Sequence, residues 1–403
     1  LIWGGVGLAQ VSGGAAPSPY IRFGDPPVCS PDPENKTVEE WMYKSLGLVC
    51  FLIAVVAQAV EVPRMPAAPR PAPGPVVNCN NGESIQAAVD AIAGPAEIRI
   101  SGICVENVVI RNKDVSLRGT QQPSLDGIRS VDPGTPALTV RGTVIAGISD
   151  LSFSESAGRG LMIRDGARVD VTNCLLESNG TTGLFADSGA FVRGDGLTLK
   201  ANPSANAIAS DAQFFCFACD FSGGGAAAVS VRGSIVSLLD SAVTGEVGIV
   251  ADQINAYVDL DCVSADTPHP CSMNVSGPAA IGTFSGTAVL FGTGNFTGQL
   301  IADDRGTVRL NGAVQRLTSG NGQPNIVDHL GEIIVAPLLD VSPPAQSVLR
   351  GTAATHFGRV LLTGNAVLNG PIQCTGAADA FLDPTVTRSP GSSVTGCANG
   401  NPR

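Results

Sequence analysis

Apolar and polar positions recur along most of this chain in a unit of about 22 residues, and a fixed period of that size is the mark of a stacked-repeat architecture. "GLMIRDGARVDVTNC", from Gly160, and "GLFADSGAFVRGDGLTL", from Gly183, share an apolar start, an Asp at a turn and an alternating run. The apolar residues that open successive units are Leu138, Leu161, Leu184, Ile208, Val229, Ile249, Ile281, Ile301, Ile326 and Val348. Their spacings are 23, 23, 24, 21, 20, 32, 20, 25 and 22 residues, and the long one contains the segment Cys262 to Cys271. Short runs of Val, Ile, Leu and Thr bounded by Gly, Asn, Asp and Ser are strands rather than helices.

A unit this short cannot bury its own apolar face. Stacked as coils ~4.8 Å apart, about 10–11 such units form a parallel β-helix with continuous inward ladders of Val, Ile and Leu. The expected fold is therefore all-β, a right-handed single-stranded parallel β-helix. An open end exposes strand edges that need cover. "ESIQAAVDAI", residues 83–92, supplies it as a short N-terminal capping helix, with Ser84 as N-cap and Ile85, Val89 and Ile92 on one face. The segment from Cys374 to Cys397 closes the other end.

The stretch "SIQAAVDAI…AEIRISGICVENVVIRNKDVSLRGT", residues 84–120, resembles the N-terminal entry of right-handed parallel β-helix proteins of the pectin-lyase-like superfamily, and the later coils resemble its repeats. The resemblance spans roughly residues 78 to 370 and implies the fold. It implies little about activity, because this architecture hosts lyases, hydrolases, adhesins and proteins with no known reaction.

The start of the chain changes how composition is counted. Met42, Lys44, the apolar run Leu46 to Val56 and Ala57-Gln58-Ala59 follow the order of a secretory signal with a small-residue cleavage site. Residues 1–41 then read as an upstream segment outside the mature fold, 42–59 as signal peptide, 60–77 as a Pro-rich linker, 78–373 as the β-helix and 374–403 as a C-terminal cap or tail. Both Trp and two of the three Tyr precede the cleavage point, which leaves Tyr257 alone in the mature chain. The expected location is secreted, periplasmic or cell-surface, with no membrane span in the mature chain.

Cysteine usage agrees with an oxidising compartment. Position along the chain pairs Cys79 with Cys104, Cys262 with Cys271, and Cys374 with Cys397. Cys174, Cys216 and Cys219 are left over, so at least one thiol is unpaired or the scheme differs. "CFAC" at 216–219 lacks a second Cys or His pair nearby and reads as structural rather than as a zinc or redox half-site. Sequons stand at Asn179, Asn274 and Asn295.

A formal net charge of −11 without a basic stripe excludes a nucleic-acid partner. Aligned on the turn after the first strand, the units give one column: Asp165, Asp187, Asp211, Arg232, Asp252, Phe284, Asp304, His329 and Arg350. Carboxylates stacked along one edge could hold a cation or sugar hydroxyls, with Arg232 or Arg350 meeting an acidic sugar. Against this, Asp is a good turn residue, and exposed carboxylates ~4.8 Å apart repel by only about 0.9 kcal/mol in water. The ligand-binding candidates are Asp211, Arg232, Asp252, Asp304 and Arg350.

Lyases of the resembled superfamily use calcium held by an acidic cluster and an Arg or Lys base. The nearest local matches are Asp259 and Asp261 as weak metal candidates and Asp304, Arg305 and His329 as catalytic candidates. The Trp before the family's Asp-His motif, the second Arg of its Arg-Pro motif and the Gly-His-Gly pattern are missing. The shortage of Trp and Tyr removes aromatic sugar platforms, with Phe214, Phe215 and Phe217 read as core fillers. The expectation is an exported β-helix that binds an extracellular polymer, a polysaccharide, or serves as an adhesin-like scaffold. It needs no cofactor. The alternative is a polysaccharide lyase or glycoside hydrolase acting on acidic polysaccharide, with Ca as its ion if a lyase.

Overall fold

The computed structural model describes residues 72–261, 273–290, 293–310, 313–318, 324–336 and 347–398. The expected upstream segment, signal peptide and Cys262–Cys271 pairing fall on residues outside the described ones. Within them the chain winds as a parallel β-solenoid of about 12 turns. Each early turn contributes three short strands. The first strands, including those of the short windings at the two ends, form one 14-stranded sheet, and the second and third strands belong to a 22-stranded sheet. Those two kinds of strand merge in later turns, where Met273–Phe284 and Thr293–Asp303 run through both positions without a break.

Pairing is parallel throughout the strands, and alternation sends every second side chain inward. Leu138, Leu161 and Leu184 are in register, followed by Ala207, Val229, Ile249 and Ile281, all of them buried. The expected ladder therefore exists through Ile281, with Ile208, Ile301, Ile326 and Val348 off it. Ile208 pairs with Phe185 and is only half-buried, while the small Ala207 takes the inward place. Ile301 likewise pairs with Gly282, and Val348 pairs with Val367 in the second-strand region. Picking the most apolar residue of each unit misses the inward one where an Ala stands beside an Ile.

In the 14-stranded sheet, Val169, Val192, Phe214, Val236, Val258, Ala288, Val308, Ile333 and Val360 stack as one inward ladder, none more than 1 % exposed. Phe214 meets Phe221 from the next wall edge to face, with ring centroids 6.2 Å apart.

The bend between second and third strands is lined by a buried polar ladder. Asn179 Nδ2 donates to the Phe153 carbonyl at 2.9 Å and to Asn202 Oδ1 at 3.0 Å. Asn202 Nδ2 repeats the contact one turn on, to the Leu176 carbonyl at 3.0 Å and Asn206 Oδ1 at 2.9 Å. Ser156 and Ser130 extend it towards the N-terminus through Oγ and amide contacts. These side chains satisfy the backbone groups that a bend removes from sheet pairing.

The capping helix spans Ile85–Ala91, with Ser84 Oγ accepting from the Ala87 amide at 3.1 Å and with Ile85 and Val89 buried. Glu106, from the next turn, completes the cap by accepting from Ser84 Oγ, the Ile85 amide and the Gln86 amide at 2.8, 2.6 and 3.2 Å. The solenoid begins inside the segment read as linker: Ala72–Asn78 is a strand paired with Ala96–Ser101. Pro73 and Pro75 are tolerable there because an outermost strand need not donate on its open side. At the other end, Asp379–Leu382, Thr387–Arg388 and Val394–Thr395 add a short further turn where a cap was expected. These additions raise the turn count above the sequence estimate.

Cys79–Cys104 and Cys374–Cys397 are disulfides, each joining positions about one turn apart. Cys216 and Cys219 also bond to each other, which makes "CFAC" a crosslink within one turn. Among the described residues Cys174 is the free thiol; burial pushes it up to about 12, so it stays protonated and inert. No described helix is long and apolar enough to cross a membrane.

Candidate functional site

The acidic column of the sequence falls on two adjacent ladders at the corner between the third strand of one turn and the first strand of the next. One ladder lies at the strand end: Asp187, Ser210, Arg232 and Asp252 are in register. The other lies one residue later, where Asp165, Ser188, Asp211, Gln253, Ser285, Asp304 and His329 all have positive φ. Left-handed backbone favours Asp, Asn and Gly, so the corner itself demands many of the residues singled out as ligands.

Charge in these ladders is partly consumed locally. Arg164 Nε lies 3.3 Å from Asp165 and 3.5 Å from Asp187. Asp211 lines a shallow depression with Gly189, Ala190, Ala212, Gln213, Gly233 and Ile235. Arg232 is exposed and Asp252 half-buried. Arg350 does not join them: its backbone pairs with Asn369 in the second-strand region, at a different bend.

Asp304, Arg305 and His329 do come together, in a stack of three tight turns. Gly306, Gly331 and Gly358 donate to the carbonyls of Asp303, Asp328 and Thr355 at 2.8, 2.7 and 2.7 Å. The central pairs Asp304-Arg305, His329-Leu330 and His356-Phe357 all have φ between 40° and 67°, as a type I′ turn requires. A Cβ at Gly331 would lie 2.1 Å from the Ala302 carbonyl oxygen, so the closing glycine is obligatory.

Side chains extend the stack. His329 Nδ1 lies 3.0 Å from Asp303 Oδ1 and His356 Nδ1 lies 2.7 Å from Asp328 Oδ1, each His leaning on the carboxylate one turn earlier. The two imidazoles are parallel within 3°, with centroids 4.9 Å apart. Burial pushes the Asp328 carboxyl up, but hydrogen bonds from Thr355, His356 and the His329 amide, with the His329 charge, outweigh it and hold the group below the usual carboxylate range. The sequence points to His329 and, in "ADDRG", to Asp303 beside Asp304 and Arg305, but it leaves Asp328 and His356 out of the candidates; the recurrence "ADDRG", "VDHLG", "ATHFG" carries the signal. The His329 and His356 side chains are 60 % and 65 % exposed. General acid–base chemistry gains little from such an open position, because water screens every charge in it.

The outer face of the 14-stranded sheet carries what the sequence hid. Phe214 is core, but Phe215 and Phe217 on the same strand point outward, half-buried and exposed respectively. Phe191 stands beside Phe215 with ring centroids 5.3 Å apart. In register with these residues are Ile235, Leu239 and Tyr257. These apolar groups are interleaved with polar ones: Gln213 stands between Phe191 and Ile235, Phe215 shares its row with Arg193, Ser237 and Asp259, Phe217 pairs with Asp195, and Asp170 lies beyond Arg193. Asp259 faces outward, alternating with buried Val258 and Leu260; the Asp261 side chain lies outside the described residues. Burial raises the Tyr257 hydroxyl, Asp259 adds to the rise and Arg309 offsets part of it. Burial likewise raises the Asp170 carboxyl against the pull of Arg193.

No family model and no curated protein matches this chain. Fold and site geometry therefore define it only as a disulfide-bonded parallel β-solenoid.

Proposed function

We propose that this protein is an exported scaffold that binds an extended extracellular polymer, a polysaccharide, along the outer face of its 14-stranded sheet. One observation carries the reading: the outward patch of Phe191, Phe215, Phe217, Ile235, Leu239 and Tyr257, interleaved with Gln213, Ser237, Arg193, Asp195 and Asp259. Aromatic faces stack on sugar rings and the interleaved polar groups supply hydrogen bonds, a combination suited to a linear chain lying across parallel strands. The disulfides and the secretory pattern of residues 42–59 support export. The pectin-lyase-like kinship is the finer form of this proposal and rests on the opening residues 84–120. The lyase alternative would have to use Asp303, Asp304, Asp328 and Arg305, beside two histidines whose side chains are 60 % and 65 % exposed.

The test is retention of the purified chain on insoluble polysaccharides and calorimetry with soluble acidic and neutral ones. A Phe215→Ala, Phe217→Ala double variant should lose at least tenfold in affinity without loss of fold. Release of unsaturated uronate products, abolished by Arg305→Ala, would overturn the scaffold reading.

A further inference from the structure

The stacked turns hold a second arrangement that polymer binding leaves unused. Asp303 Oδ1 accepts from the Asp304 amide at 2.7 Å, and Asp328 Oδ1 accepts from Thr355 Oγ1 and the His329 amide at 2.6 and 2.8 Å. An ionised carboxylate offers only lone pairs, so a ring nitrogen in contact with it must carry the proton. That nitrogen is Nδ1 in both His329 and His356. In the neutral form that binds a metal, each imidazole then keeps its lone pair on Nε2, on the side of the ring away from the carboxylate.

We propose that His329 and His356 form a two-histidine site for a divalent transition-metal ion, bound through both Nε2 atoms, with Asp303 and Asp328 as the carboxylates that orient the rings. A carboxylate on the far nitrogen is the usual partner of a metal-ligating histidine; it fixes the tautomer and raises basicity at the ligating atom. Stacking on consecutive turns places two such donors side by side, with ring centroids 4.9 Å apart. Ligand bonds of about 2.0–2.1 Å to a tetrahedral ion put two nitrogens roughly 3.3 Å apart, so the rings must tilt towards each other at their outer edges. Side chains 60 % and 65 % exposed have room to do so, and water can fill the remaining positions. Paired imidazoles select copper, nickel and zinc over calcium and magnesium, which take oxygen ligands. The site is thus chemically distinct from the calcium cluster that a lyase would need.

The probe is the metal alone: Zn²⁺, Ni²⁺ and Ca²⁺ titrated calorimetrically into untagged chain carrying His269→Gln, which removes the one other histidine. One Zn²⁺ or Ni²⁺ per chain should bind with micromolar affinity and Ca²⁺ should give no heat. His329→Gln or His356→Gln should weaken binding at least tenfold, and Asp303→Asn by several-fold. Metal-free melting of each variant, matched to the parent, separates loss of ligand from loss of fold. Nitrogen-15 spectra should show Nε2 as the unprotonated atom in the metal-free protein and shift it on adding Zn²⁺. Zn²⁺ affinity unchanged in either histidine variant, no zinc heat at all, or equal binding of Ca²⁺ would overturn the proposal.

Discussion

Gly194 is the register partner of Cys216, and a Cβ on it would stand 2.7 Å from the Cys216 sulfur. The neighbours in that inward ladder are Val171 and Leu238, so glycine is there to leave space for the Cys216–Cys219 bridge and for Leu197, whose Cδ1 a Cβ would also meet at 2.7 Å. Gly194→Val improves strand propensity, yet should destabilise by about 1–3 kcal/mol through overpacking. In a Cys216→Ala, Cys219→Ala background the same change should cost clearly less. Thermal melts of the four proteins give the coupling directly.

The Asn179–Asn202–Asn206 ladder makes a second prediction. Asn202→Leu removes donors to the Leu176 carbonyl and to Asn206 Oδ1 and takes the acceptor from Asn179, so it should cost about 2–4 kcal/mol in denaturant unfolding. The same burial settles one sequon: Asn179 is 1 % exposed with Nδ2 committed to two acceptors. Chain folded and secreted by a glycosylating host should carry no glycan at Asn179, which peptide mass mapping will read.

Cys174 should not react with iodoacetamide in the native protein and should react fully once denatured, since its thiol is buried and pushed up to about 12. Native labelling at the unfolded rate would contradict the placement of its side chain in the core.

Two carboxylates should give pH dependences of opposite sign. Asp328 is lowered in the fold, so its contribution is present above the ordinary carboxylate range and is lost as pH falls through the folded value. Asp328→Asn should therefore lower the Tm at pH 7 and make little difference in strong acid. Asp170 is raised, so its ionisation opposes folding as pH climbs past the ordinary value. Asp170→Asn should raise the Tm at pH 7 and bring no gain in acid.

The fold was legible because a 22-residue period can bury its apolar residues only by stacking, and the capping signal at Ser84 has a local cause. Where side-chain size competed with position, as at Ala207 and Ile208, hydrophobicity alone chose the wrong residue. The outward aromatics were hidden for a related reason: "QFFCF" is apolar throughout, so Phe214 and Phe217 differ only in the side of the strand they occupy. The corner cluster escaped because its members come from separate turns, and only exact register brings His356 over Asp328.

A stacked array held by nearest-neighbour contacts ordinarily frays from its tips. Here the bonds at Cys79–Cys104 and Cys374–Cys397 sew the outermost windings to their neighbours, each closing a loop for which chain entropy alone is worth about 3.5 kcal/mol. Mild reductant should thus broaden the melting transition by loosening both tips, and protease should then digest inward from each end while the middle windings persist as a resistant fragment.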